Sequence, residues 1–150
     1  MRRVSFIIFV FALTAGFASA DEFDTFWEET ERMVNDFMVI MTEAQPYLNY
    51  PPKLTDEERE DIVWELEVLV NKLQQIRYDY ETMHVPVGME TAHGLIKSGL
   101  GMYADGLMRV GEGIDREYKP TFNGGIAEIN NAGPIIDQGY VEMEQAYNNR

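Results

Sequence analysis

From residue 21 onward the apolar positions recur at alternating steps of four and three, the spacing that lays a stripe along one face of a helix. The first row is Phe23, Trp27, Thr30, Val34, Phe37, Met41, Ala44 and Leu48, widened by Phe26, Met33, Ile40 and Tyr47. It predicts a helix from about Phe23 to Leu48, stopped at Tyr50-Pro51-Pro52, where two prolines supply no backbone donors and hold the chain extended. Thr55-Asp56-Glu57-Glu58 reads as a capping box, with acidic residues at the positive end of a helix dipole. The second row, Ile62, Leu66, Leu69, Leu73, Ile76, Tyr80 and Met83, ends at Val85-Pro86-Val87-Gly88. A third helix is predicted from Met89 to Tyr118 on Met89, His93, Ile96, Leu100, Tyr103, Leu107, Val110 and Ile114, with Lys119-Pro120 as its stop. The fourth begins near Phe122 and Asn123 and carries Ile126, Ile129, Gly133, Ile136, Tyr140, Met143 and Tyr147. No segment alternates with the period of a strand. The expected class is all-α, an up-down-up-down antiparallel four-helix bundle, because connections shorter than about ten residues favour antiparallel neighbours.

A second pattern lies over the first. Ala92, Gly99, Gly106 and Gly113 recur every seven residues, as do Gly125, Ala132, Gly139 and Ala146 after Pro120. Two such rows either side of a turn describe a hairpin whose backbones approach closely. Folding about Lys119 pairs positions whose numbers sum to 238: Gly113 with Gly125, Gly106 with Ala132, Gly99 with Gly139, Ala92 with Ala146. The first hairpin, with a sum near 103, would oppose Met41 to Ile62, Phe37 to Leu66, Val34 to Leu69 and Trp27 to Ile76, all large residues. The bundle should therefore be uneven, with one close and one wider pair. The six glycines from Gly94 to Gly113 cost the third helix about 5 kcal/mol relative to alanine, at roughly 0.8 to 1 kcal/mol each, which close packing must offset. Pro134 inside the fourth helix removes the hydrogen bond to Asn130 and is expected to bend the helix around its neighbour; a polar notch formed by the freed Asn130 carbonyl and the Asn130-Asn131 amides is the alternative reading.

The first twenty residues have a different character. Arg2-Arg3, the apolar run Phe6 to Leu13 and Ala18-Ser19-Ala20 form a secretory signal peptide over residues 1–20, leaving a bundle domain of 21–150. The apolar run is shorter than the roughly 20 residues of a membrane span. With no cysteine, the chain has no disulfide framework, lipid-attachment cysteine, c-type haem motif or thiolate metal site. Without Arg2 and Arg3, ten basic residues face 26 acidic ones, a formal charge of −16. Such a surface repels nucleic acid and anionic lipid, so neither is an expected partner, and no membrane span is expected in the mature chain.

Candidate chemistry is sparse. The two histidines lie in Glu81-Thr82-Met83-His84 and Glu90-Thr91-Ala92-His93, two Glu-x-x-His motifs on either side of one turn. On a helix that spacing sets carboxylate and imidazole on one face, as in di-iron carboxylate bundles, and makes Glu81, His84, Glu90 and His93 candidate ligands for iron, zinc or copper. Helices one and four offer no core glutamate to complete the di-iron pattern. Met83 and Met89 could join the histidines on copper, although the remaining methionines fall at or near core rows, where methionine fills gaps. Haem is disfavoured, since Met89 and His93 stand one turn apart on one helix and Met33 lies too far along the bundle. The mature chain has one serine, Ser98, and no phosphate loop or dinucleotide fingerprint, so no cofactor is expected beyond a metal. Tyr47, Tyr50, Trp64 and Tyr78 are the aromatics expected on the surface, with Trp64 and Tyr78 a potential contact face.

The last 65 residues, with Pro86, Ala92-His93 and Tyr103, resemble small secreted helical proteins of unassigned role. That resemblance implies a structural place for His93 and no activity. The expectation is a non-enzymatic periplasmic or secreted bundle that binds a protein partner or a second copy of itself, as an envelope accessory module. The alternative is a metal-binding bundle built on the two Glu-x-x-His motifs.

Overall fold

A computed structural model describes residues 20–149, and the leader assigned to residues 1–20 lies outside them but for Ala20. Four helices pack against one another: α1 (Ala20–Ala44), α2 (Asp56–Thr82), α3 (Glu90–Asp115) and α4 (Lys119–Asn148), with a single 3-10 turn at Gln45–Tyr47. The chain is an all-helical four-helix bundle, with no strand among the described residues. The α2 start follows its sequence signal. Thr55 Oγ1 accepts from the Glu58 amide at 3.2 Å while the Glu58 carboxylate accepts from the Thr55 amide at 2.8 Å. Those bonds to Thr55, the backbone one foremost, hold the Glu58 carboxyl below its usual range.

The α3–α4 pair is the close one. A Cβ placed on Gly125 would lie 2.4 Å from the Gly106 carbonyl oxygen, and one on Gly106 would lie 2.8 Å from that of Gly125. Added to Gly99, a Cβ would meet the Ala132 carbonyl at 3.1 Å; added to Gly139, it would meet that of Ala92 at 3.2 Å. Small residues face small residues, as expected, but the register differs. The pairs Gly106–Gly125, Gly99–Ala132 and Ala92–Gly139 sum to 231 rather than 238, a slip of one heptad.

Pro120 explains the slip. It does not stop α3 but sits in the first turn of α4, where its missing donor leaves no hydrogen bond unmade. Helix α3 ends earlier, at Asp115, in a Schellman closure: the Tyr118 amide donates to the Gly113 carbonyl at 2.8 Å and the Glu117 amide to that of Ile114 at 3.1 Å. Glu117 occupies the left-handed conformation this closure requires, with φ of 50°. The pairs that sum to 231 centre the hairpin between Asp115 and Arg116, three to four residues before Lys119, and Gly113 abuts the Phe122 backbone at the turn.

The first hairpin also departs from its expected register. Glu43 pairs with Lys72 at 3.2 Å, and Tyr47 donates to Glu65, so sums run from 112 to 115 instead of near 103. Phe37 packs on Tyr103 of α3, with ring centroids 4.7 Å apart. The 3-10 turn brings the end of α1 level with Glu65, nine residues into α2, and residues 48–55 climb about 13 Å beside the first turns of α2 at about 1.5 Å per helical residue. That segment closes the bundle end that α1 does not reach. Tyr50 lies edge-on to Phe122 at 5.1 Å, beneath Lys119, and Arg59 bridges Asp56 and Glu117. Tyr50 and Tyr47 are thus partly buried rather than exposed, whereas Trp64 and Tyr78 are exposed as expected.

Helix α4 runs through Pro134 without interruption, and the proline and Asn130 both face solvent. Water can satisfy the freed carbonyl there.

Glycine replacements separate the packing glycines from the others. Gly125→Ala or Gly106→Ala should lower stability by about 3 kcal/mol or more in urea denaturation, because the clash is with backbone. Gly94→Ala, where a Cβ meets nothing within 4 Å, should raise it by roughly 0.5 to 1 kcal/mol.

Candidate functional site

Two places in the bundle bring polar or open features together. One is the end formed by the start of α1, the α2–α3 turn and the end of α4. Phe23, Phe26, Met89, Ala92 and Met143 make its apolar centre, with Trp27 and Tyr147 edge-to-face at 5.6 Å. Both histidines are at this end, but they serve differently. His93 is half-buried, stacks on the Tyr80 ring at 4.7 Å, and its Nε2 lies 2.8 Å from the Tyr80 carbonyl oxygen. His84 is exposed.

The two glutamates of the motifs are engaged elsewhere. Glu81 pairs with Lys97 at 3.2 Å, and Glu90 accepts from the Gly88 amide at 2.8 Å, tying down the turn where Gly88 takes a φ of 98°. The structure therefore does not gather Glu81, His84, Glu90 and His93 around one point, and no group of three or more metal-ligating side chains is placed to hold an ion among the described residues. The Glu-x-x-His spacing does not put both members of the first motif on a helix, since α2 ends at Thr82 and His84 lies beyond it, and each carboxylate has a nearer cation or amide.

Beneath His93 lies a small polar island in the core. Thr30 and Tyr80 are fully buried, and neither hydroxyl makes a hydrogen bond of good geometry. Burial pushes the Tyr80 phenol well above its usual range; the neighbouring Thr30 hydroxyl pulls it slightly back and Tyr140 pushes it further. Tyr140 is pushed up to about 12, chiefly by burial and then by the Glu31 carboxylate. Burial also raises Tyr103, with Asp137 adding to it.

The second place is a groove of about 500 Å³ between α2 and α3. Its floor is Leu66 and Val70 from α2 with Leu107 and Gly111 from α3, all buried, while Val63 and Met108 form apolar lips. Glu67, Asn71 and Gln74 rim one side, and Glu112 and Asp115 the other. The groove exists because α3 spends its closest-packing face on α4, and because Gly111 puts no side chain over Leu66. A Cβ there would stand 3.8 Å from Leu66 Cδ1, an ordinary contact, so nothing in the bundle requires this glycine. Gly101 differs, since Arg77 packs over it, with the guanidinium carbon 3.3 Å from where a Cβ would lie.

The charges around the groove are one-sided. Lys72, Lys97, Arg109 and Arg59 pair with Glu43, Glu81, Glu128 and the Asp56–Glu117 couple. None of these ion pairs includes Glu67, Glu112 or Asp115, and no lysine or arginine lines the groove. Sequence reasoning did not find this site. The signal available was the pair Gly101 and Gly111, which stand off the seven-residue row and so could not belong to the α4 contact.

Compared with family models, with curated proteins and with solved structures, the chain matches none.

Two measurements probe the polar island. The double variant Thr30→Val/Tyr80→Phe should be within about 1 kcal/mol of the parent or more stable in urea denaturation, because both unbonded hydroxyls leave together. In alkali, the unfolded chain loses its tyrosine protons near pH about 10, while the folded chain keeps that of Tyr140 to about 12. The folded state then binds more protons, so stability should fall as pH rises through this window, less steeply in Tyr140→Phe and Tyr80→Phe.

Proposed function

We propose that this chain is a non-enzymatic, exported protein-binding module, an accessory of the cell envelope or its exterior, which docks a partner in the groove between α2 and α3. The observation that carries this reading is the groove itself, whose apolar lips Val63 and Met108 reach solvent above a closed floor of Leu66, Val70 and Leu107, on a bundle whose other glycine face is sealed. Unfilled apolar concavity beside a helix pair is the form in which helical bundles receive another helix. The exposed aromatics Trp64 and Tyr78 lie on α2, the helix that forms one wall. Export rests on the leader pattern of residues 1–20. The reading needs no cofactor, and the half-buried His93 acts in it as packing against Tyr80.

The experiment compares the mature chain, beginning at Asp21, with Gly111→Leu, which fills the groove floor. Both are immobilised and exposed to envelope extract of the source cells. A partner retained by the parent chain and lost by the variant, at equal thermal stability of the two baits, supports the reading. Identical retention by both, or no retention by either, overturns it.

A further inference from the structure

The histidine end of the bundle holds another opening, which shares no residue with the α2–α3 groove. It is a pocket of about 310 Å³ lined by Asp24, Trp27 and Glu28 of α1 and by Tyr147 of α4, near the lower bound of the roughly 300 to 1,000 Å³ of small-molecule sites. Positions 24, 27 and 28 stand three and four residues apart, so α1 turns these three side chains to one side. The aromatic walls form a corner. The Trp27 and Tyr147 rings lie 5.6 Å apart at 64° to each other, edge against face, and both are partly exposed above the apolar centre of this end. In such a pair the ring that presents its edge keeps its own faces clear of the other ring. The indole is also fixed in rotation, because its Nε1–H donates at 2.9 Å to Glu31, one turn further along α1.

Charge narrows the choice of occupant. Aromatic faces carry negative potential and attract cations, and the remaining walls of the pocket are the carboxylates of Asp24 and Glu28. Glu28 takes part in none of the ion pairs of the described residues, and no lysine or arginine among them lines the pocket. A small hard ion fits poorly, since calcium and magnesium take about six to eight oxygen ligands and no three ligating side chains converge among the described residues. A cation sheathed in methyl groups sheds its water readily and can lie against both rings while the carboxylates balance its charge.

We infer that this corner binds a quaternary ammonium group, its methyls against Trp27 and Tyr147 and its charge balanced by Asp24 and Glu28. The group belongs to a free organic cation of the choline type, because the phosphate of a phosphocholine headgroup would stand beside two carboxylates.

The test titrates the isotope-labelled mature chain and follows the indole N–H signals of its two tryptophans by NMR, with Trp64, exposed on α2, as the reference for Trp27. Tetramethylammonium, choline, the neutral carbon isostere of choline and phosphocholine are added at an ionic strength held constant with sodium chloride. Four variants accompany the parent: Asp24→Asn/Glu28→Gln, a remote pair Glu57→Gln/Asp61→Asn of equal charge change, Tyr147→Leu, and Tyr147→Phe, which keeps the ring. The expected result is a saturable shift of the Trp27 signal alone, with Kd below about 10 mM for both quaternary cations and at least about tenfold weaker binding of the isostere and of phosphocholine. Affinity should fall about tenfold in Asp24→Asn/Glu28→Gln and about fivefold in Tyr147→Leu, against less than about twofold in Tyr147→Phe and in the remote pair. No saturable shift of Trp27 up to about 100 mM overturns the site. Equal affinity for the neutral isostere overturns the cation assignment, and so does equal loss in the remote pair, since the ligand would then follow net charge alone. Equal loss in Tyr147→Leu and Tyr147→Phe removes the aromatic wall from the account and overturns the corner. Phosphocholine bound as tightly as choline overturns the assignment to a free cation.

Discussion

At Gly106 and Gly125 two helix backbones meet with no side chain between them. A methyl group on either would fall inside contact distance of the opposing carbonyl, so α3 and α4 are held together by dispersion between main chains and by whatever packs immediately around them. This contact offsets the helix propensity forfeited by the glycines of α3. It also takes one face of α3 entirely, and that leaves α2 and α1 to pack on what remains. Where α2 meets α3, Arg77 packs tightly over Gly101, whereas Gly111 has only Leu66 at ordinary contact distance. The groove is thus a by-product of the same composition that makes the tight hairpin.

The opposite arrangement governs the histidine end. There the bundle is closed by aromatic and methionine side chains, Phe23, Phe26, Met89 and Met143, and the polar groups enter it singly. Tyr80 presents its ring to His93 and its hydroxyl to a core where Thr30 and Tyr140 are polar neighbours. Buried hydroxyls without bonds of good geometry are costly, and the raised tyrosines are the electrostatic expression of the same burial. The carboxylates of the two Glu-x-x-His motifs remain at the surface, where Lys97 and the Gly88 amide neutralise them locally.

Charge acts here as a matter of allocation. Bases are few, and those that form ion pairs tie helices together: Lys72 to α1, Lys97 to α2, Arg109 to α4, Arg59 to the α3–α4 turn. Three carboxylates outside those ion pairs, Glu67, Glu112 and Asp115, line the groove between α2 and α3.

Much of this was legible in the chain. The four helices follow from apolar rows at steps of three and four, the start of α2 from Thr55 and Glu58, and the close α3–α4 contact from glycine and alanine every seven residues. These are local or strictly periodic signals, and such signals need no knowledge of what lies opposite. Register is another matter. A row that repeats every seven residues matches its partner equally well after a slip of seven, so Gly106 can face Ala132 or Gly125 with the same small-residue complementarity. Only the turn chooses between them, and it did so through Glu117 in a left-handed conformation and Pro120 inside the first turn of α4. The groove was likewise decided in three dimensions, because whether a glycine is packed or open depends on which residue of another helix arrives at its height.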